Sequence, residues 1–284
     1  MGDDVNALRE VVALALAEDL GAAGDVTTLA CVPADVPYRA VFVARDAGVV
    51  AGLEAIRAVF AAVDPEVMFE PRVEDGTRIE RGAVLADVRG SVHALLAAER
   101  TALNLLTHLS GIATSTAAFV AEVAGTGCMV RDTRKTLPGL RALQKAAVVA
   151  GGGVNHRHGL WDGLLVKDNH IHAAGGVTEA VRRAHAASDG LGVQVEVDSL
   201  EQLDEALRAG ARSVLLDNFS CNDLPAAVAR CRQRDEPVFV EASGGVTLAS
   251  AWAIASTGVD AIAVGACTHS APALDIGLDF EGLA

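Results

Sequence analysis

After residue 125 the chain alternates short, nearly continuous apolar runs with stretches that carry apolar residues at helical spacing, six runs with five stretches between them. The runs are 128–131, 163–167, 193–197, 213–217, 238–242 and 261–265, and the helical stretches fall near 140–149, 178–187, 200–209, 224–234 and 248–256. Strands that are apolar throughout, instead of alternating, are covered on both faces, and helical connections make them parallel. Six such units suit a barrel better than an open sheet. The expected fold class is therefore α/β: a (β/α) barrel, closed or incomplete, preceded by a smaller α+β domain.

The region before the repeats has a different texture. Residues 5–18 carry apolar positions at helical spacing, β-like runs lie at 40–44, 48–51, 67–69 and 83–88, and 92–123 is an Ala/Leu-rich helix. Ser110-Gly111 within that helix marks a break or a point of close packing. The stretch EDGTRIERGAVLADVRG resembles the turn-and-strand pattern of swinging-arm carrier domains, but no lysine stands at the turn, so a structural reading is preferred. The expected division is 1–110 for the N-terminal domain with its linking helix and 111–271 for the barrel, with about 272–284 returning to the first domain.

Charge narrows the function classes. A formal net charge of −14 argues against nucleic acid or an anionic membrane as partner. No apolar run reaches the roughly 20 residues that span a bilayer, and the opening residues do not form a signal peptide, so the expected location is the cytoplasm. Five cysteines without a C-x-x-C pair suggest neither a disulfide framework nor a zinc ribbon, and are read as small buried residues. Against this acidic background, seven basic residues (Arg131, Arg134, Lys135, Arg141, Lys145, Arg157, Lys167) face two acids (Asp132, Asp162) between positions 131 and 167. This island holds every lysine of the chain. A lysine is a compact, mobile charge suited to phosphate oxygens or a reacting centre.

In a barrel the chemistry sits at the carboxyl ends of the strands. There the sequence places Arg134 and Lys135, then Lys167-Asp168, Glu196, Asp217-Asn218, Glu241 with Ser243-Gly244-Gly245, and Val264-Gly265-Ala266. Two glycine-rich turns on consecutive strands, the first preceding a helix that opens near Thr247, offer backbone N–H groups to a phosphate. Glu196 and Asp217 suit three roles: holding Mg²⁺ through its waters, accepting hydrogen bonds from ribose hydroxyls, or stabilising an oxocarbenium ion. Arg100, Asn104 and His108 recur every four residues and form one polar stripe, a set of donors without an acid. The pairs His156/His158 and His170/His172 have metal-like spacing, but the cations beside them disfavour a dication; His158 and His172 are read as structural.

The segment RDTRKTLPGLRALQKAAVVAGGGVNHRHGLWDGLLVKDNHI resembles the signature of the quinolinate phosphoribosyltransferase family. The likeness extends through ERTALNLLTHLSGIAT, VEVDSLEQLDEAL, VLLDNF, VEASGGV and DAIAVGACTHS, and covers nearly the whole chain in order. It implies transfer of phosphoribosyl from phosphoribosyl pyrophosphate to quinolinate with decarboxylation, giving nicotinate mononucleotide, pyrophosphate and CO₂. It also implies a homodimer or hexamer whose site is completed across the dimer interface, with Mg²⁺ as cofactor. By the same resemblance Arg100 comes from the neighbouring subunit, and Thr133, Arg134, His156, Arg157 and Lys167 surround quinolinate. Lys135, Lys167, Ser243, Gly244, Gly245, Val264, Gly265, Ala266 and His269 lie near the phosphates. Lys135, Glu196 and Asp217 are the expected catalytic group, with Glu196 and Asp217 near the ribose and the metal. Alternatives are a related phosphoribosyltransferase for another aromatic acid, such as the homologue associated with molybdenum transport, a barrel lyase using Lys167 or Lys135 as a Schiff-base nucleophile, and an inactive metabolite-binding protein.

Overall fold

The structure, a computed structural model, describes residues 2–33 and 36–283. It divides into two compact units: Met1–Ala117 with Thr136–Gly152 and Cys267–Ala284, and Ala118–Lys135 with Gly153–Ala266.

The first unit begins with α1 (Gly2–Leu20) and α2 (Val26–Cys31). Asp25 starts α2 because its carboxylate accepts the amides of Thr27 and Thr28 at 3.1 and 3.0 Å. Then follow β1 (Pro37–Ala44), β2 (Gly48–Val49), α3 (Leu53–Val63), β3 (Met68–Pro71), β4 (Arg78–Ile79), β5 (Val84–Ser91) and α4 (Val92–Glu122). Leu53, Ile56, Val59 and Phe60 are spaced by three and four residues, so α3 buries a single stripe. Asp75, in the carrier-like stretch, accepts the amides of Gly52 and Leu53 at 3.0 and 3.1 Å, and so serves the start of α3.

The long helix α4 is not broken at Ser110-Gly111. Ser110 Oγ accepts from Ala51 N at 3.0 Å and donates to Ala51 O at 3.2 Å, and a Cβ on Gly111 would stand 2.1 Å from Pro272 O. Close packing is therefore the reason for the pair. The sheet of this unit runs in the order β12-β1-β5-β3, where β12 (Ile276–Leu283) returns from the far end of the chain to pair antiparallel with β1. Its β5 carries Asp87, 3% exposed, to which Arg72 and Arg39 donate; the Arg72 hydrogen bond above all lowers the Asp87 pKa to about 2.

The second unit is the repeated part. Its strands are β6 (Met129–Arg131), β7 (Leu164–Val166), β8 (Val193–Val197), β9 (Ser213–Asp217), β10 (Phe239–Ser243) and β11 (Ala261–Ala263). Between and after them stand α5 (Arg141–Ala150), α6 (Asp168–Ala174), α7 (Val177–Ala186), α8 (Leu200–Arg208), α9 (Leu224–Arg232), α10 (Leu248–Ala255) and α11 (Ala266–His269). Every neighbouring strand pair is parallel, in the order β6-β11-β10-β9-β8-β7. The middle residues of β9 and β10 are buried without alternation, as expected of strands covered on both faces.

The barrel is incomplete. No ladder joins the edge strands β6 and β7 among the described residues; beside β6 there is one bridge, from Arg131 to Val154. One helix also departs from the simple alternation. Although α5 lies between the first two strands of the repeat, Ala147 and Val148 on its buried face join the core formed by Leu106, Leu109 and Ala113 of α4, so α5 belongs to the first unit. The cysteine expectation holds in part: Cys128, Cys231 and Cys267 are buried, whereas Cys31 at the end of a short helix and Cys221 in the loop after β9 are exposed.

Candidate active site

Residues at alternate positions of a strand share a face. In β8, β9 and β10 that parity separates Glu196, Asp217 and Ser243, which line one cavity, from Val197, Leu216 and Ala242, which are buried in the core. The cavity holds about 480 Å³. It touches β7, β8, β9 and β11 at once, through Leu165, Glu196, Leu215 and Ala263, which requires the sheet to curl. Thr133, Arg134 and Lys135 enter from the end of β6, His156 and Arg157 from the segment before β7, Lys167 from the end of β7, and Gly244 and Gly245 from the turn after β10.

Eleven of the expected site residues are thus brought together: Thr133, Arg134, Lys135, His156, Arg157, Lys167, Glu196, Asp217, Ser243, Gly244 and Gly245. The others stand elsewhere. The Val264 side chain is buried and its N–H donates to Arg131 O at 2.8 Å, so the amide that the sequence reading offered to a phosphate already belongs to the β6–β11 edge. Gly265 and Ala266, half-buried, follow it at the start of α11. Arg100 and His269 belong to the first unit, where both are exposed; His269 Nδ1 lies 2.6 Å from Ser270 Oγ.

Local contacts order the cavity wall. Lys167 Nζ lies 2.7 Å from Glu196 Oε2, and the Lys167 amide donates to His170 Nδ1 at 2.9 Å, which explains a histidine at the first turn of α6. Asn218 Nδ2 donates to Asp217 Oδ2 at 2.8 Å, and the Asn218 amide donates to Ser243 O at 2.9 Å. Asn218 takes a left-handed conformation, φ +56°, and leaves no room for a side chain at Gly244. Arg157 donates to Gly163 O at 2.9 Å. Burial lowers its pKa and the nearby charge of Arg134 acts in the same direction, while Asp162 opposes both. The Arg134 Nε–H is buried and bonds to no protein acceptor, so the group is left for a ligand.

Within the first unit, the polar stripe on α4 divides. Arg100 and Asn104 are exposed, but His108 is half-buried with its Nε2 2.8 Å from Gln144 Nε2. The amide can only donate there, so His108 Nε2 accepts, in line with a pKa lowered by burial. The sequence reading overlooked the apolar floor of Leu165, Leu215 and Ala263 and the role of Gln194, and it set Glu241 at the mouth, whereas Glu241 is fully buried two residues before Ser243 and accepts from Gln194. The signal for the last two was present as polar residues inside otherwise apolar runs, VQVEV and VFVEA.

The two carboxylates suit a hard cation. Glu196 and Asp217 are oxygen donors at the ends of adjacent strands, and no group of three or more His, Cys, Asp or Glu able to hold a metal occurs among the described residues. This donor set fits Mg²⁺, which is usually bound through one or two carboxylates with waters and substrate phosphates completing the shell.

An incomplete parallel barrel whose carboxyl end gathers cations, two acids and a glycine turn around one cavity belongs to proteins that handle polyanionic small molecules. The comparisons narrow that class. Residues 25–110 match the family description "Quinolinate phosphoribosyl transferase, N-terminal domain", and residues 112–279 match "Quinolinate phosphoribosyl transferase, C-terminal domain". The chain belongs to the quinolinate phosphoribosyltransferase family. It is 49% identical over 280 residues to the nicotinate-nucleotide pyrophosphorylase [carboxylating] of Mycobacterium leprae, covering 97% of this chain and 98% of that protein. It is 42% identical to a probable nicotinate-nucleotide pyrophosphorylase [carboxylating] of Bacillus subtilis, covering 92% and 89%. The solved nicotinate-nucleotide pyrophosphorylase of Francisella tularensis superposes with a TM-score of 0.92 at 38% identity, covering 97% and 96%.

Proposed function

We propose that this member of the family transfers the phosphoribosyl group of phosphoribosyl pyrophosphate to the ring nitrogen of quinolinate and then releases CO₂, giving nicotinate mononucleotide and pyrophosphate for de novo NAD synthesis. The observation that carries the reading is the composition of a single cavity: Arg134, Lys135, His156, Arg157 and Lys167 with Glu196, Asp217 and a glycine turn. Two carboxylates on the acceptor and three phosphates on the donor need several cations, arginine forks among them. Arg134, His156, Arg157 and Lys167 bind the aromatic diacid, with Thr133 beside them. Lys135, Ser243, Gly244 and Gly245 take the donor's phosphates, with Gly265 and Ala266 completing that end.

Bond formation is mainly positioning and charge. The nitrogen lone pair attacks the anomeric carbon, the bond to pyrophosphate breaks, and Glu196 and Asp217 stabilise the positive charge that develops on the ribose. Glu196 and Asp217 would also hold Mg²⁺, which when bound offsets the charge of the leaving pyrophosphate. The pyridinium then accepts the electrons of the breaking bond to its 2-carboxylate, CO₂ leaves, and a proton from solvent restores the ring carbon. Arg100, exposed on α4, is assigned to the cavity of a second subunit, in a homodimer or a hexamer. The cytoplasm, with its supply of phosphorylated donors, is the expected location.

The Schiff-base alternative fares worse, because the Lys167 amine is engaged by Glu196 at 2.7 Å. The test is release of pyrophosphate and CO₂ from phosphoribosyl pyrophosphate and Mg²⁺, with quinolinate or nicotinate as acceptor. Stoichiometric release of both products with quinolinate alone is expected; silence with quinolinate would move the assignment to another aromatic acid.

A further inference from the structure

Beneath the cavity floor lies a buried hydrogen-bonded chain that the reaction outlined above does not use. Arg131 of β6 donates to Glu241 Oε2 of β10 at 2.7 Å, and Gln194 Nε2 of β8 donates to the same oxygen at 2.8 Å. Glu241 is fully buried and Gln194 is 7% exposed. A carboxylate that receives a guanidinium can only accept, so the Gln194 amide must turn its NH₂ toward Glu241. Its Oε1 then faces His156 Nε2 at 2.8 Å, and only an N–H on that ring nitrogen satisfies it. The opposite ring nitrogen, Nδ1, accepts the backbone N–H of Arg157 at 2.7 Å and must be unprotonated to do so. The two ends therefore demand the same form of His156, the neutral Nε2–H tautomer.

This polarity has a consequence for the cavity wall. His156 and Arg157 are consecutive residues and both line the cavity. The ring is held at both nitrogens, the His156 amide donates to the buried Asp132 Oδ1 at 2.7 Å, and the Arg157 amide is spent on the ring. We propose that Gln194 and Glu241 are positioning residues: by dictating the tautomer of His156 they fix the ring in the cavity wall and, through its Nδ1, the backbone of Arg157, so that the Arg157 guanidinium is held where it receives a carboxylate of the acceptor. The inference rests on the function proposed above for the acceptor, but the tautomer itself is a property of the ligand-free protein. Reversing the ring would place an N–H against the Arg157 N–H and a lone pair against the Gln194 oxygen. One wrong amide orientation at position 194 is thus transmitted through the ring to the backbone of Arg157.

The test has two arms. In the ligand-free wild-type protein, ¹⁵N–¹H spectroscopy of histidine-labelled material should show His156 protonated on Nε2 and bare on Nδ1; a proton on Nδ1 overturns the proposal without reference to any substrate. In steady-state kinetics, Gln194→Leu should raise KM for quinolinate about tenfold, the scale of one lost buried hydrogen bond, and leave KM for phosphoribosyl pyrophosphate within about twofold. The Glu241→Gln variant keeps an acceptor oxygen for both Arg131 and Gln194, and should retain the wild-type tautomer and quinolinate KM to within about threefold. Unchanged quinolinate KM in Gln194→Leu, or equal rises for both substrates, would reduce the chain to a structural feature of the barrel. If Gln194→Leu does not fold, the wild-type spectrum and Glu241→Gln decide. Lack of turnover of quinolinate by the wild type would instead refute the proposed function and leave the tautomer result standing.

Discussion

Gly244 and Gly245 are adjacent, both have positive φ (+100° and +58°), and only one of them faces a neighbour. A Cβ on Gly244 would stand 2.2 Å from Asn218 Oδ1 and 2.8 Å from Asn218 N, whereas nothing lies within 4 Å of a Cβ on Gly245. Replacing each by alanine therefore separates the cost of backbone conformation from the cost of contact. Gly245→Ala should lose about 1–2 kcal/mol, the penalty of a left-handed residue. Gly244→Ala meets a backbone strain of ~1–3 kcal/mol. It must also displace Asn218, which gives up its bond to Asp217 or the amide bond to Ser243 O that ties β9 to β10, at a further ~0.5–1.5 kcal/mol. The expected difference is about 1–2 kcal/mol, or a melting temperature lower by about 2–8 °C for a folding unit of this size class. Thermal unfolding of the two variants side by side measures it. Kinetics supply a second readout, because a displaced Asp217-Asn218 pair should raise KM for the phosphoribosyl donor at least about tenfold in Gly244→Ala and much less in Gly245→Ala. Equal stability and equal kinetics in the two variants would refute the claim that Gly244 is required by its contact with Asn218.

Two further outcomes follow from the structure. Asp87 is held at a pKa of about 2 mainly by the Arg72 hydrogen bond, so its contribution to stability is present above the unfolded value near 3.8 and is lost as pH falls through about 2. Asp87→Asn should cost about 1.5–3 kcal/mol at neutral pH by urea titration and flatten the acid limb of the stability curve; an acid limb identical to wild type would refute that role. If Arg100 acts in a neighbour's cavity, Arg100→Ala and Arg134→Ala, each inactive alone, should regain up to about a quarter of wild-type activity when mixed under conditions of proven subunit exchange, since random pairing leaves some intact sites. Exchange without recovery would confine Arg100 to its own chain or remove it from the reaction.

The sequence by itself determined most of the architecture. Each of the six apolar runs became a parallel strand within one or two residues of its expected bounds, because continuous apolar runs between amphipathic helices have one economical solution, a sheet covered on both faces. It also determined the constituents of the cavity, since residues at the carboxyl ends of parallel strands must meet wherever the sheet curls, and the cations were concentrated there. Three matters were decided by tertiary structure. Helix α5 left the alternation because its apolar face found the core of the first unit, a choice between two cores that local periodicity cannot express. Val264 lost its amide to the neighbouring strand because ladder register, not strand-end position, determines which N–H groups remain for a ligand. Gln194 and Glu241, 47 residues apart and each a polar residue set among apolar neighbours, became partners only because β8 and β10 place them on the same inner face, where burial compels polar groups to find one another.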